Sequence, residues 1–145
     1  MRYVYPYDVT VDEDGRFLVT FRDVPEAGDD GATEAEAIAD AAGSLVAALQ
    51  GYVQLRRPVP PPSRAKRGQG TVAVPPLAAA KLALYQAVRE RGLSNVALAA
   101  MLGLSSESEV RRLLDLEHRS HIAVVASALA LMGKEMVVET RDRAA

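Results

Sequence analysis

The chain has 145 residues, of which 49% are apolar, 25% charged and 5% aromatic, with a net charge of −2. That composition fits a folded protein rather than a disordered tail, and the length allows one ordinary domain or two very small ones. It holds no cysteine, which excludes disulfides, thiolate catalysis and cysteine-ligated zinc. No apolar run approaches the roughly 20 residues a bilayer requires. The first residues, Met1-Arg2-Tyr3-Val4-Tyr5-Pro6, lack a signal peptide's apolar core, so a cytoplasmic protein with no membrane partner is expected.

Tyr3, Tyr5, Tyr7, Val9 and Val11 alternate with Val4, Asp8 and Thr10, the pattern of a strand buried on one side. The tyrosine row could stack on RNA, but at strand spacing it reads as one face of a sheet. Asp12-Glu13-Asp14-Gly15 is a turn, and Phe17, Val19 and Phe21 alternate again, which predicts a hairpin. Asp23 to Gly31 reads as loop. Thr33-Glu34-Ala35-Glu36 is a capping box opening a helix whose apolar residues run from Ile38 through Leu45 and Leu49 to Val53. Two strands are marginal alone, and Thr71-Val72-Ala73-Val74 supplies the expected third. Pro58, Pro60, Pro61 and Pro62 impose an extended path between helix and strand. Pro75-Pro76 marks the expected domain boundary.

Four helices should follow. The stripe Leu77, Ala80, Leu84, Ala87, Val88 ends at Gly92; Ser94 caps a helix with Leu98, Ala99 and Leu102 inside, ended by Gly103. Ser106-Glu107-Ser108-Glu109 is a second capping box, and Ile122, Val125, Leu129 and Met132 form the last stripe. Met136-Val137-Val138-Glu139-Thr140 reads as a short strand. With no partner in a helical domain, it is expected to pair with its counterpart in a second chain through Met136, Val137 and Val138, giving a homodimer or a higher even-numbered oligomer.

Two short helices joined by Gly103-Leu104-Ser105 have the form of a helix-turn-helix, which predicts operator double-stranded DNA as a partner. With Val110, Leu113 and Leu114 buried, Glu107, Ser108, Arg111, Arg112 and Asp115 face outward. Arg111 and Arg112 offer forked donors to guanine edges or phosphates; Ser106 and Ser108 can donate to phosphate near the helix start; His118 and Arg119 lie close enough to join them. Glu107, Glu109, Asp115 and Glu117 oppose this by repelling phosphate. The charge is unevenly spread: residues 1–62 carry −6, residues 63–70 carry +3 and residues 71–145 carry +1. Two units with different partners are implied.

Several of these segments resemble HicB-type antitoxins of the HicAB toxin–antitoxin family. They are the Tyr3–Val11 strand, Asp23-Val24-Pro25-Glu26, Gly31-Ala32-Thr33 leading into Glu36-Ala37, and Pro60-Pro61-Pro62-Ser63. The second half resembles the helix-turn-helix tail of one branch through Lys81-Leu82-Ala83-Leu84-Tyr85, Leu98-Ala99-Ala100-Met101-Leu102-Gly103, Val110-Arg111-Arg112-Leu113-Leu114-Asp115 and Ala128 to Lys134. The resemblance implies an α+β fold: residues 1–76 as a partial RNase H-like domain with an antiparallel sheet and one helix, and residues 77–145 as an all-α DNA-binding domain with a terminal strand. It implies that the first domain blocks a small basic HicA-like toxin that cleaves mRNA, and that the second represses the operon encoding both. The acidic first half agrees with this, since an inhibitor of an RNA-binding toxin should present negative charge; Asp12, Asp14, Asp29 and Asp30 are the candidate toxin contacts. Two departures stand out. The turn Gly103 to Val110 is one residue longer than the family's, and Ala32 stands where the family often has an acidic residue.

No enzyme activity, cofactor or metal is expected. A two-metal nuclease would need Asp8, Asp12, Glu13, Asp14, Asp29 and Asp30 to converge, and three of these sit in a turn. His118 and His121 lack further ligands nearby. The competing reading is a ligand-responsive helix-turn-helix transcription regulator whose first domain senses a small molecule.

Overall fold

The computed structural model describes residues 1–143. Strand β1 (Val4–Val11) turns at Asp12 into β2 (Phe17–Thr20). The turn holds itself: the Asp12 carboxylate accepts from the N–H groups of Asp14 and Arg16, each at 2.9 Å, and Gly15 takes φ +77°. Strand β3 (Gly28–Gly31) follows, then helix α1 (Glu34–Gln54) and, after the proline strap, β4 (Gly70–Ala73). The sheet is fully antiparallel in the order β3-β2-β1-β4.

The third strand expected at Thr71–Val74 is therefore present as β4, on the far edge beside β1. The segment read as loop contains a further strand. Gly28-Asp29-Asp30-Gly31 has little β propensity, and pairing with β2 overrides it. The glycines explain how. At Gly28 φ is +151° and a Cβ would stand 2.8 Å from the Val19 carbonyl oxygen; at Gly31 it would stand 2.7 Å from the Ala37 backbone nitrogen. The edge strand can lie against both β2 and α1 because neither residue has a side chain there.

Helix α1 starts at Thr33, whose hydroxyl accepts from the Glu36 N–H at 3.2 Å; the return bond of the capping box is not formed. Its buried face (Ala37, Ala41, Leu45, Leu49) covers Tyr3, Tyr5, Val19, Phe21 and Val72. The strap is tied down by side chains: Tyr5 to the Pro60 carbonyl (2.7 Å), Tyr85 to the Arg57 carbonyl (2.8 Å), and the Ser63 N–H and hydroxyl to Asp23 (2.8 and 2.9 Å).

Four helices follow among the described residues: α2 (Pro76–Glu90), α3 (Asn95–Leu102), α4 (Glu107–Leu114) and α5 (Ile122–Leu131). Their core is a second cluster around Leu84, Leu98, Val110 and Val125. Helix α2 serves both clusters, with Ala78 and Leu82 in the first and Ala80, Leu84 and Val88 in the second.

The strand expected over Met136–Thr140 does not form: residues 134–143 are neither helix nor strand. A ladder needs an open edge with matching register, and this segment meets none in its own chain. It is instead held by side chains. Arg2 pairs with Glu139 at 2.7 Å, and Arg141 donates to the Thr71 hydroxyl at 3.3 Å.

Candidate nucleic-acid and partner surfaces

The turn between α3 and α4 is built from two local devices. Gly103 adopts φ +68°, its N–H bonds the Ala100 carbonyl (3.3 Å) and the Leu104 N–H bonds the Ala99 carbonyl (2.8 Å), the double closure of a Schellman motif. Three residues later Ser106 caps α4 reciprocally. Its hydroxyl accepts from the Glu109 N–H, while the Glu109 carboxylate accepts from the N–H groups of Ser105 and Ser106 and from the Ser105 hydroxyl. The Ser105 bonds, above all, hold the Glu109 carboxyl below the usual carboxylate range. Its charge is turned toward the helix start, where it occupies the N–H groups of Ser105 and Ser106.

Val110, Leu113 and Leu114 are buried, and Glu107, Ser108, Arg111 and Arg112 are exposed on the outer face of α4. The two arginines differ. Arg111 is restrained by the Ser108 hydroxyl at 3.2 Å and by Glu107 at 3.8 Å. Arg112 has no ion pair among the described residues. His118 and Arg119 lie in the exposed loop after α4, with His118 Nδ1 3.3 Å from the Ser120 hydroxyl. Ser106, Glu107, Ser108, Arg111 and Arg112 thus share one short helix and its cap, while His118 and Arg119 stand beyond its far end.

The acidic candidates meet at a corner of the sheet. Edge strand β3 carries Asp29 and Asp30 on opposite faces, and the β1–β2 turn carries Asp12 and Asp14. Arg16 joins the two, with its Nε 2.7 Å from Asp30. That hydrogen bond lowers the Asp30 pKa and, with the fields of Asp30, Asp12 and Glu36, raises that of Arg16. Asp29 and Asp14 remain exposed, and the Asp29 carboxylate accepts from the next backbone N–H, at 2.8 Å. Arg16 belongs to this corner and carries no local sequence signal; the pairing of β3 with β2 brings it to Asp30.

The three residues expected at a dimer seam separate. Met136 packs against the second cluster, while Val137 and Val138 stay 79% and 74% exposed. Two buried polar residues went unnoticed in the sequence. Lys81 has no solvent exposure, and Gln50 only 7%. The signal for Lys81 was present, since it lies between Leu77 and Tyr85 on the buried stripe of α2.

Among the described residues no group of three histidines or carboxylates could hold a metal ion, and no helix is long and apolar enough to cross a membrane. Open grooves lie between the strap and α2 (Pro58, Val59, Tyr85, Gln86, Arg89, Glu90) and in the α3–α4 turn.

Residues 4–83 match the family model of the HicB-like antitoxin of bacterial toxin–antitoxin systems. Over 132 residues the chain is 38% identical to Antitoxin HicB 2 of Photorhabdus laumondii, covering 91% of this chain and 92% of that protein. It is 32% identical to Antitoxin HicB of Escherichia coli K12 (91% and 95% covered) and 31% identical to Antitoxin HicB of Pseudomonas fluorescens (93% of each).

Proposed function

The chain belongs to the HicB-like antitoxins of bacterial toxin–antitoxin systems, and from that premise we propose that it neutralises a HicA-like mRNA-cleaving toxin with its sheet domain and represses its own operon with α3 and α4. The first 76 residues or so would form the partial RNase H-like toxin-binding unit, and the remainder the DNA-binding unit.

The observation that carries the DNA reading is the outer face of α4. A tight Schellman turn and a complete capping box set a short helix on a body that buries its apolar residues, leaving Ser108, Arg111 and Arg112 outward. Arg112 is the stronger candidate for a base or a phosphate, because Arg111 must first leave Glu107. The toxin reading is supported by the charge of −6 over residues 1–62 and by the exposed Asp14 of the β1–β2 turn and Asp29 of edge strand β3. A basic toxin would be steered there and its own RNA-binding charge covered. Exposed Val137, Val138 and Leu131 support self-association, which would place two α4 helices on one duplex. A cytoplasmic location follows from both partners.

The test separates the two surfaces. In the Arg111→Ala/Arg112→Ala chain, affinity for the promoter of its own operon should fall by roughly tenfold to a hundredfold, while growth rescue against the co-expressed toxin is unchanged. Equal promoter affinity in a gel-shift titration would overturn the assignment of α4. The reading as a ligand-responsive regulator would gain from a small molecule that changes promoter affinity in the absence of toxin.

A further inference from the structure

Helix α4 does not finish its own C-terminus. Asp115, the residue that ends it, is already extended (φ −75°, ψ 114°), and its N–H makes a single long bond of 3.3 Å to the Arg112 carbonyl. The closure comes from α2. The Lys81 ammonium donates to the carbonyl oxygens of Arg112 (3.0 Å), Asp115 (2.7 Å) and His118 (2.7 Å). An ammonium has three N–H donors, and all three are used. The cation also sits where a helix end presents partial negative charge. Helix α1 reaches the same corner: Gln50 Oε1 accepts from the Leu116 N–H at 2.9 Å, and the Leu116 side chain is buried in the first cluster. The corner from Asp115 to His118 is therefore pinned by two helices, through groups that lie away from the outer face of α4.

Burying a cation is a poor route to stability. Desolvation lowers the Lys81 pKa, with the Asp115 charge acting against it, and replacing a buried ionic group together with its partners by apolar residues is often neutral or stabilising. What three converging carbonyls and a fixed amide acceptor do supply is direction. We propose that Lys81 and Gln50 are positioning residues for α4, setting the angle at which it leaves the body and hence its discrimination between DNA sequences rather than its grip on phosphates. This rests on the reading of α4 as the base-reading helix.

The experiment uses full-length Lys81→Met, Gln50→Met and Gln50→Glu chains, at a temperature where circular dichroism shows each one folded. Each is titrated with its own promoter and with a scrambled duplex of equal length and composition. The promoter-to-scrambled ratio should shrink roughly tenfold in both Met variants, with affinity for the scrambled duplex within about twofold, since phosphate contacts carry that part. Gln50→Glu keeps an acceptor for the Leu116 N–H and should restore most of the ratio. Loss of stability alone would not move this ratio in folded protein. Should Lys81→Met fail to fold, Gln50→Met and its Glu rescue decide the matter. A wild-type ratio in folded Gln50→Met overturns the proposal. A wild-type chain that prefers neither duplex overturns the reading of α4 itself, and this proposal with it.

Discussion

The two hydrophobic clusters of this chain are made of different material. The first buries Tyr3, Tyr5 and Phe21 between a sheet and one long helix, whereas in the second Tyr85 is the single buried aromatic residue among Ala80, Ala87, Ala99, Ala128 and branched aliphatics. The sheet and the single helix that covers it leave room for rings. Short helices crossing at about 8–10 Å do not, and alanine lets them approach. The surfaces diverge as well, acidic on the sheet side and mixed on the helical side. Yet α2 lends alternate residues to both, so the two clusters differ in chemistry while sharing a spine.

That shared spine can be broken or confirmed with neighbouring residues. Leu82 and Leu84 are both fully buried, the first in the sheet cluster and the second in the helical one. Leu82→Ala and Leu84→Ala should each cost about 3 kcal/mol and displace one common unfolding transition, followed by circular dichroism in urea. Two transitions, with each variant moving only its own, would show that the clusters melt apart.

The first cluster should make the protein sensitive to alkali. Burial, with help from Glu90, pushes the Tyr3 phenol up to about 12, and burial raises Tyr5 further. A raised folded pKa means stability that is complete below the unfolded value near 10 and is lost as pH climbs from 10 through about 12. For Tyr3 the loss amounts to about 3 kcal/mol. Lys81 has the opposite sign: its lowered pKa carries a penalty at neutral pH that is relieved as pH rises toward its unfolded value of 10.5. Urea titrations between pH 8 and 12 should show falling stability that Tyr3→Phe flattens. An unchanged slope in that variant would mean the phenol is not the titrating group.

Glycines sharpen the comparison at smaller scale. Gly31→Ala should destabilise the protein by about 2 kcal/mol, because the new methyl would meet the backbone of α1. Gly43→Ala, where a Cβ meets nothing within 4 Å, should stabilise α1 by about 0.5 to 1 kcal/mol. Thermal melts of the two variants should move in opposite directions. The caps give the smallest effect. Ser106→Ala and Thr33→Ala each remove one hydroxyl acceptor, 3.4 and 3.2 Å from its N–H donor, and should each cost about 1 kcal/mol. Glu109→Ala, which removes the bonds to Ser105 and Ser106, should cost more than Glu36→Ala, and equal losses in denaturant titrations would mean that those return bonds contribute nothing.

Much of the fold is legible in the chain because much of it is local. The alternation of Tyr3 to Val11, the Asp12–Gly15 turn, the stripe from Ile38 to Val53, the serine caps at Ser94 and Ser106 and the left-handed Gly103 are each decided within a few residues. The outer face of α4 follows from them, since burying Val110, Leu113 and Leu114 leaves Arg111 and Arg112 outside. Strand β3 was not legible. Gly-Asp-Asp-Gly favours a turn on its own and becomes a strand only against β2. The terminal segment fails in reverse: Met136 to Thr140 has strand-like residues, but a strand exists only where another edge accepts its hydrogen bonds.

The order of residues therefore determined the elements that periodicity, capping and turn chemistry encode, together with the acidic first half and the basic joint that follows it. Tertiary structure decided what long-range partners must supply: a strand without propensity, an Arg16 bridge across the acidic corner, and a lysine drawn from the stripe of α2 to close the end of α4. Propensities act over a few residues, whereas a buried ammonium and an edge strand are stable only when groups far along the chain arrive to satisfy them.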